Sequence, residues 1–306
     1  MRVVEADELR GALSMTAAID ALERAFGRED PSLASPMRTT MATATGTLLT
    51  MPAAGDAGVG VKLVTLSEFN PQKGLPFVQA TYVLFDAETQ RPQAVIDGTE
   101  LTALRTAAVS GLATRFLARA DASRLVIFGA GVQATAHLEA MCAVRPVQQV
   151  VVVSRGAARA QTLVDHVRSL GLVGRVGAPA DVAEADLVCT CTTSAVSVFR
   201  GEDLAAGVHV NAVGASLPDR RELDTEAIRR AKVVVETRRE AMAEAGELLM
   251  AIADGAIDAG HVLADLTELV NGVGVRTDQS DISVFKSVGM GFEDLVVARA
   301  ALDALA

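Results

Sequence analysis

The sequence contains no tryptophan and a single tyrosine, and aromatic residues make up only 3% of its 306 positions, so a core must be built from valine, leucine, alanine and isoleucine. Cysteine is also sparse. The three cysteines, Cys142, Cys189 and Cys191, are odd in number and lack the paired spacing of a metal site. Cys189 and Cys191, in LVCTCTT, are explained as small hydrophobes on a buried strand. The four histidines, His137, His166, His209 and His261, lie far apart, so neither metal-ligand spacing nor a Ser-His-Asp arrangement can be argued, and no metal is expected. Positive charge is in deficit: 28 Lys and Arg stand against 38 Asp and Glu, a net charge of −10, and the basic residues are scattered. Nucleic-acid binding through counterion release needs clustered cations, so that partner class is set aside. No apolar run approaches the ~18 residues of a membrane span. No basic-then-apolar signal precedes the first helical stretch, so the cytoplasm is expected and a membrane is not.

What is present is an ordinary α/β composition, 50% apolar, long enough for two domains with real cores. Residues 6–27 place Leu9, Leu13, Ile19, Leu22 and Phe26 at helical spacing, predicting one or two amphipathic helices. From 37 to 97 short β-like runs, MRTTMAT, GTLLTMPA, GVGVKLVTL, FVQATYVLFD and QAVID, are separated by turn residues and predict an antiparallel meander. A helix is expected from Thr99. Beyond RFLARADAS, strand and helix patterns alternate with near-continuous apolar strands, which predicts a parallel sheet covered on both faces. The boundary is therefore placed near 115. The stretch from Asp281 to Leu305 reads as one long helix able to return to the first domain.

Within the second part, VIFGAGVQATAH carries Gly129, Gly131 and Ala134 in a G-x-G-x-x-A pattern between a strand and a helix. The first glycine permits the tight turn, the second lets backbone approach a pyrophosphate, and the small third residue lets the helix pack on the strand, with its free N–H groups aimed at phosphate. Dinucleotide binding is the expectation. At the end of the next strand, VVVVSRGAAR has Ser154 where an NAD enzyme usually carries an acid, followed by Arg155 and Arg159. Those guanidiniums suit a ribose phosphate, so NADP(H) is favoured over NAD(H); the alternative is that both arginines are solvated surface charges.

Two further charges sit where packing is expected. Lys62 interrupts the apolar run VGVKLVTL, either on an exposed face with its stem lying flat or held inward for a purpose. Arg105 lies on the same helix side as Leu101, Ala108 and Leu112, where a guanidinium is unfavourable unless it meets an anion such as a bound carboxylate or phosphate.

GVKLVT at 60–65, LPFVQATYVLFD at 75–86, LTALRTAAVSGLA at 101–113, GAGVQA at 129–134, VNAVGASLPDRREL at 210–223 and VFKSVGM at 284–290 together resemble the ornithine cyclodeaminase/mu-crystallin family over most of the chain. The resemblance implies a Rossmann-type doubly wound parallel sheet, residues 116–284, joined to a β-rich α+β substrate-binding and dimerisation domain, residues 1–115 with 285–306, in a homodimer. By position, Arg38, Lys62 and Arg105 resemble the residues that bind the substrate carboxylate and surround the reacting carbon. Ala130, Val132 and Gln133 resemble the pyrophosphate contacts beside Gly129 and Gly131, and Ser154, Arg155 and Arg159 those at the adenosine ribose. Thr192, Val213 and Ser287 resemble residues lining the cofactor further along, with Thr81 near the nicotinamide. One departure separates branches: where cyclodeaminases and some alanine dehydrogenases have an Asp after Gly-Ala, this chain has Ser216. A serine cannot manage protons on a leaving amine near neutral pH as a carboxylate does. The resemblance therefore implies an NADPH-dependent reductase of cyclic imino acids, with Ser216 hydrogen-bonding near the substrate. The alternatives are an ornithine cyclodeaminase or related amino-acid dehydrogenase and, in another class, an NADPH-dependent ligand-binding protein like mu-crystallin.

Overall fold

The computed structural model describes residues 1–306, apart from the side chain of Pro71. Contacts divide the chain into two units, Met1–Val109 with Met290–Ala306, and Ser110–Gly289.

The first unit runs through β1 (Arg2–Val4), α1 (Ala6–Ala12), α2 (Met15–Phe26), α3 (Pro31–Ala34), β2 (Thr39–Thr43), β3 (Gly46–Gly55), β4 (Gly58–Leu66), β5 (Val78–Phe85), β6 (Pro92–Asp97) and the start of α4 (Gly98–Leu117). Its six strands are ordered β1-β6-β5-β4-β3-β2. All neighbouring pairs are antiparallel except β1 with β6, a three-residue parallel strand that the sequence pattern does not single out. The amphipathic stretch expected at 6–27 divides into α1 and α2 at Ser14, whose hydroxyl caps α2 by accepting from Ala17 N at 3.2 Å. Ala18, Ile19, Leu22 and Phe26 form the buried face of α2. Fully burying a Leu, Ile or Phe stabilises by about 1.5–3 kcal/mol each, so this face holds α2 in place. The last helix, α11 (Gly291–Ala304), packs on α2 and on β3, β4 and β5, with Phe26 and Phe292 meeting edge to face at 5.3 Å.

The second unit contains β7 (Arg124–Phe128), α5 (Val132–Val144), β8 (Gln149–Val153), α6 (Ala157–Ser169), β9 (Val173–Val176), β10 (Leu187–Thr190), β11 (His209–Ala212), α7 (Thr225–Arg230), β12 (Lys232–Val235), α8 (Arg238–Glu244), α9 (Gly246–Ala253), β13 (Val262–Asp265), α10 (Leu266–Val270) and β14 (Ser283–Lys286). The strands form one eight-stranded parallel sheet ordered β13-β12-β14-β11-β10-β7-β8-β9. Every residue of β10, β11 and β14 is buried, as strands covered on both faces must be. The order runs outward from β7 to β9 and then returns to β10 beside β7. That reversal makes a crevice at the carboxyl ends of β7 and β10, where open α/β sheets bind ligands.

One expectation is corrected. Residues 281–305 are not a single helix: Ser283–Lys286 form β14 in the interior of the sheet, between β11 and β12, and the helix begins at Gly291. Four buried residues, Ser283–Lys286, are too few for a period that separates a buried strand from a helix, so the pattern merges the two.

Candidate active site

Strand alternation explains the inward lysine of the first unit. Gly60, Lys62 and Val64 share the covered face of β4, and Lys62 is only 1% exposed. Its Nζ meets Asp294 Oδ1 on α11 at 2.8 Å. Arg105, on α4, donates from Nη1 to Glu293 Oε2 at 2.6 Å and places Nε 3.1 Å from Asp294 Oδ1. The anions that make Arg105 tolerable on its packed stripe therefore include two carboxylates of the chain itself. Tyr82 stands opposite Lys62 in the β4–β5 register and lies over Gly60, where a Cβ would come within 2.0 Å of the phenol oxygen.

The electrostatics follow from this crowding. Burial, then repulsion from Arg105, lowers the Lys62 ammonium to about 8; Asp294 opposes the shift and Arg38 adds to it. Arg38 is thus within electrostatic reach of Lys62. Burial, reinforced by Asp294, pushes the Tyr82 phenol well above its ordinary value. Arg38, Lys62 and Arg105 against Glu293 and Asp294 sum to one positive charge, the balance that suits a small carboxylate.

In the second unit the glycine turn sits at the carboxyl end of β7. Gly129 has φ +105°, and a Cβ there would lie 2.4 Å from the Cys191 carbonyl, so neither the backbone conformation nor the packing accepts a side chain. Gly131 is the N-cap of α5, with no atom within 4 Å of where its Cβ would project, and Ala134 is fully buried against the sheet. Ala130 is half-buried, Val132 is exposed, and Gln133 is half-buried with its backbone carbonyl accepting from His137 Nδ1 at 2.8 Å. Ser154 follows β8, its hydroxyl accepting from Gly156 N at 3.3 Å. Arg155 and Arg159 are exposed, and Arg159 Nε lies 3.3 Å from where a Gly156 Cβ would be.

Thr192 and Val213 lie just beyond β10 and β11, and the Thr192 hydroxyl donates to Glu222 Oε1 at 2.6 Å. Ser216 is half-buried on the loop after β11. Ser287 is buried with its hydroxyl turned to Glu236 Oε1 at 2.5 Å. Thr81 is exposed on β5, in the first unit. The buried histidines are satisfied locally, His137 by Ser110 Oγ at 2.9 Å and His209 by Ser283 Oγ at 3.0 Å. Burial lowers them to about 4 and about 3, so both are neutral near pH 7. Among the described residues no group of three His, Cys, Asp or Glu could hold a metal ion, and no helix is long and apolar enough to cross a membrane.

The sequence reading does not single out Glu293, Asp294, Glu222, Glu236 or Lys286. Lys286 in VFKSV carries the same signal as Lys62, an ammonium in an apolar run, and Glu293–Asp294 in GFEDLVV is its acidic counterpart.

An all-parallel doubly wound sheet with a glycine turn beside its switch point, in one chain with the β-rich first unit, defines a Rossmann-type α/β protein. More specifically, the chain belongs to the ornithine cyclodeaminase/mu-crystallin family, whose model matches residues 2–306. A delta(1)-pyrroline-2-carboxylate reductase of Bacillus cereus is 35% identical over 309 residues, covering 98% of this chain and 95% of that protein. The structure of Thermococcus litoralis delta(1)-pyrroline-2-carboxylate reductase in complex with NADH and L-proline superposes with a TM-score of 0.93 at 35% identity, covering 99% of this chain and 97% of that one. An archaeal alanine dehydrogenase dimer with bound NAD gives a TM-score of 0.91 at 31% identity, covering 99% and 95%.

Proposed function

We propose that the protein is an oxidoreductase that uses a nicotinamide cofactor, NADP(H) in preference to NAD(H), to reduce cyclic imino acids such as pyrroline-2-carboxylate or piperideine-2-carboxylate to proline or pipecolate. The observation that carries this function is the buried cluster of Lys62, Arg105 and Asp294, with Arg38 in electrostatic reach, in a chain 35% identical to pyrroline-2-carboxylate reductases. The turn fits the cofactor, because the open space beside Gly131 lies at the N-terminus of α5, where free N–H groups and the helix dipole favour a pyrophosphate. Gly129, Ala130, Val132 and Gln133 would complete that cradle, with Ser154, Arg155 and Arg159 at a ribose phosphate and Thr192, Val213, Ser287 and Thr81 further along. The cofactor supplies the hydride.

Arg38 and Arg105 clamp the substrate carboxylate and fix the imine carbon, a positioning effect of several kcal/mol in barrier lowering. Lys62, lowered toward neutrality, holds or gives the proton that the imine nitrogen needs, directly or through water, with Ser216 hydrogen-bonding nearby. We infer a homodimer acting in the cytoplasm. The likeness to alanine dehydrogenase supports a second function, interconversion of an amino acid and its keto acid plus ammonia. Loss of NADPH absorbance separates the two: the proposed function requires turnover with a cyclic imino acid, whereas turnover only with pyruvate and ammonia establishes the second. Tight NADPH binding without turnover of either substrate class leaves a ligand-binding protein and overturns both.

A further inference from the structure

Glu222 is fully buried, yet four donors converge on its carboxylate. Oε1 accepts from Thr192 N at 2.7 Å and from the Thr192 hydroxyl at 2.6 Å. Oε2 accepts from the Thr190 hydroxyl at 2.7 Å and from Gly214 N at 2.7 Å. These donors belong to the carboxyl ends of two neighbouring strands, β10 and β11. A Cβ at Gly214 would lie 2.2 Å from the Thr192 carbonyl and 2.6 Å from Glu222 Cδ, so the glycine is there because the carboxylate and the neighbouring loop occupy that space.

A second buried pair holds the same loop from behind. Glu247 Oε1 accepts from Glu222 N at 2.9 Å, Lys286 Nζ lies 3.1 Å from Glu247 Oε2, and Lys286 donates to the Ala215 carbonyl at 2.5 Å. Gly214 is thus fixed through its N–H and Ala215 through its carbonyl, immediately between Val213 and Ser216. A carboxylate buried at this depth is unfavourable unless donors compensate it, and burial does push Glu222 upward while the threonines and Lys286 pull it down. With Thr190, Thr192 and Gly214 all directed at it, the group stays where it is because it ties loops together.

We propose that Glu222 is a positioning residue for the nicotinamide cofactor: it joins the loops after β10 and β11 into one rigid rim, so that Thr192 and Val213 are presented in fixed geometry. This rests on the function proposed above, in which the second unit holds the cofactor. Glu222 itself touches no reacting atom. It acts by preorganisation, and its loss weakens nucleotide binding rather than binding of the imino acid.

The test is Glu222→Gln, which keeps size and removes charge. Each carboxylate oxygen faces a backbone N–H, so either orientation of the amide points its NH2 group at Thr192 N or at Gly214 N. NADPH titration of the wild-type protein comes first; no binding there overturns the parent function and, with it, this inference. Given wild-type binding, Glu222→Gln is expected to raise the NADPH Kd and KM by about tenfold or more, in line with one or two lost charge-assisted hydrogen bonds. The KM for the imino acid at saturating NADPH should change less than twofold or so. An unchanged NADPH Kd in folded Glu222→Gln, or equal rises in both KM values, overturns the proposal while leaving the parent function intact. Should Glu222→Gln fail to fold, Thr190→Val decides, since it removes one of the four donors at constant shape: a few-fold rise in NADPH KM alone supports the rim, and no rise refutes it.

Discussion

Lys62 and Asp294 are 232 positions apart and form an ion pair at 2.8 Å with side chains 1% and 0% exposed. The carboxylate also serves Arg105, whose Nε lies 3.1 Å from the same oxygen. One acid on the last helix thus compensates two cations, one on β4 and one on α4. It ties the end of the first unit's chain to the cluster from which the proposed chemistry is derived.

That sharing predicts an asymmetry in stability. Removing one partner of a buried pair leaves an uncompensated charge and costs about 3–5 kcal/mol. Asp294→Ala strands Lys62 and leaves Arg105 with Glu293 alone, whereas Lys62→Met leaves Asp294 still paired with Arg105. Urea unfolding should show the larger loss for Asp294→Ala. Equal losses would mean that Arg105 does not depend on this carboxylate.

The pH dependence follows from Lys62, lowered by burial to about 8. Its folded value lies below that of an unfolded lysine, about 10.4. Between these values the unfolded chain binds the extra proton, so stability rises with pH from about 8 to about 10 through this group, and the penalty of burying the ammonium is fully present below 8. Activity moves the other way. With Lys62 as the proton-bearing group, kcat/KM for imine reduction falls as pH rises through about 8, and Lys62→Met loses both that limb and most of the rate. A pH profile of Lys62→Met that keeps the same limb would assign the ionisation elsewhere.

The two glycines of the turn should separate folding from binding. Gly131→Ala meets nothing within 4 Å and leaves backbone at φ −108°, so it should fold with unchanged melting temperature. Its new methyl occupies the pyrophosphate approach, and NADPH affinity should drop by about tenfold or more, about 1.4 kcal/mol. Gly129→Ala places a Cβ 2.4 Å from the Cys191 carbonyl at φ +105° and should destabilise the fold itself, by about 1–3 kcal/mol. Calorimetry with and without NADPH distinguishes the two outcomes. Full NADPH affinity in Gly131→Ala would remove the turn from the cofactor site.

Cofactor choice is tested at Ser154, beside Gly156 and Arg159 at the end of β8. Ser154→Asp should repel a ribose phosphate and accept the free ribose hydroxyls, shifting the ratio of kcat/KM for NADPH over NADH downward by about tenfold or more. An unchanged ratio would mean that the phosphate is read elsewhere.

The features legible in the sequence are those in which the signal is local. The glycine turn, its flanking strand and helix, and the antiparallel hairpins each lie within a window of a dozen or so residues, where backbone requirements show directly. Lys62 and Arg105 are visible as charges inside apolar periodicity, but Glu293 and Asp294, their partners, are not: 188 positions separate Arg105 from Glu293 and 232 separate Lys62 from Asp294, and only tertiary packing brings them near. Glu222 is hidden for the same reason, since its donors come from two strand ends rather than from its own neighbourhood. β14 is not legible because four buried residues have no period, and β1 because three residues added to a sheet edge leave almost no pattern.

The most direct measurement is a crystal structure of the protein with NADPH and L-proline. The account predicts the proline carboxylate paired with Arg38 and Arg105, Lys62 Nζ within hydrogen-bond reach of the ring nitrogen or of one water bridging to it, and the pyrophosphate on the N–H groups at Gly131. Proline carboxylate bound away from both arginines, with Lys62 unmoved from Asp294 and remote from the ring, would contradict it.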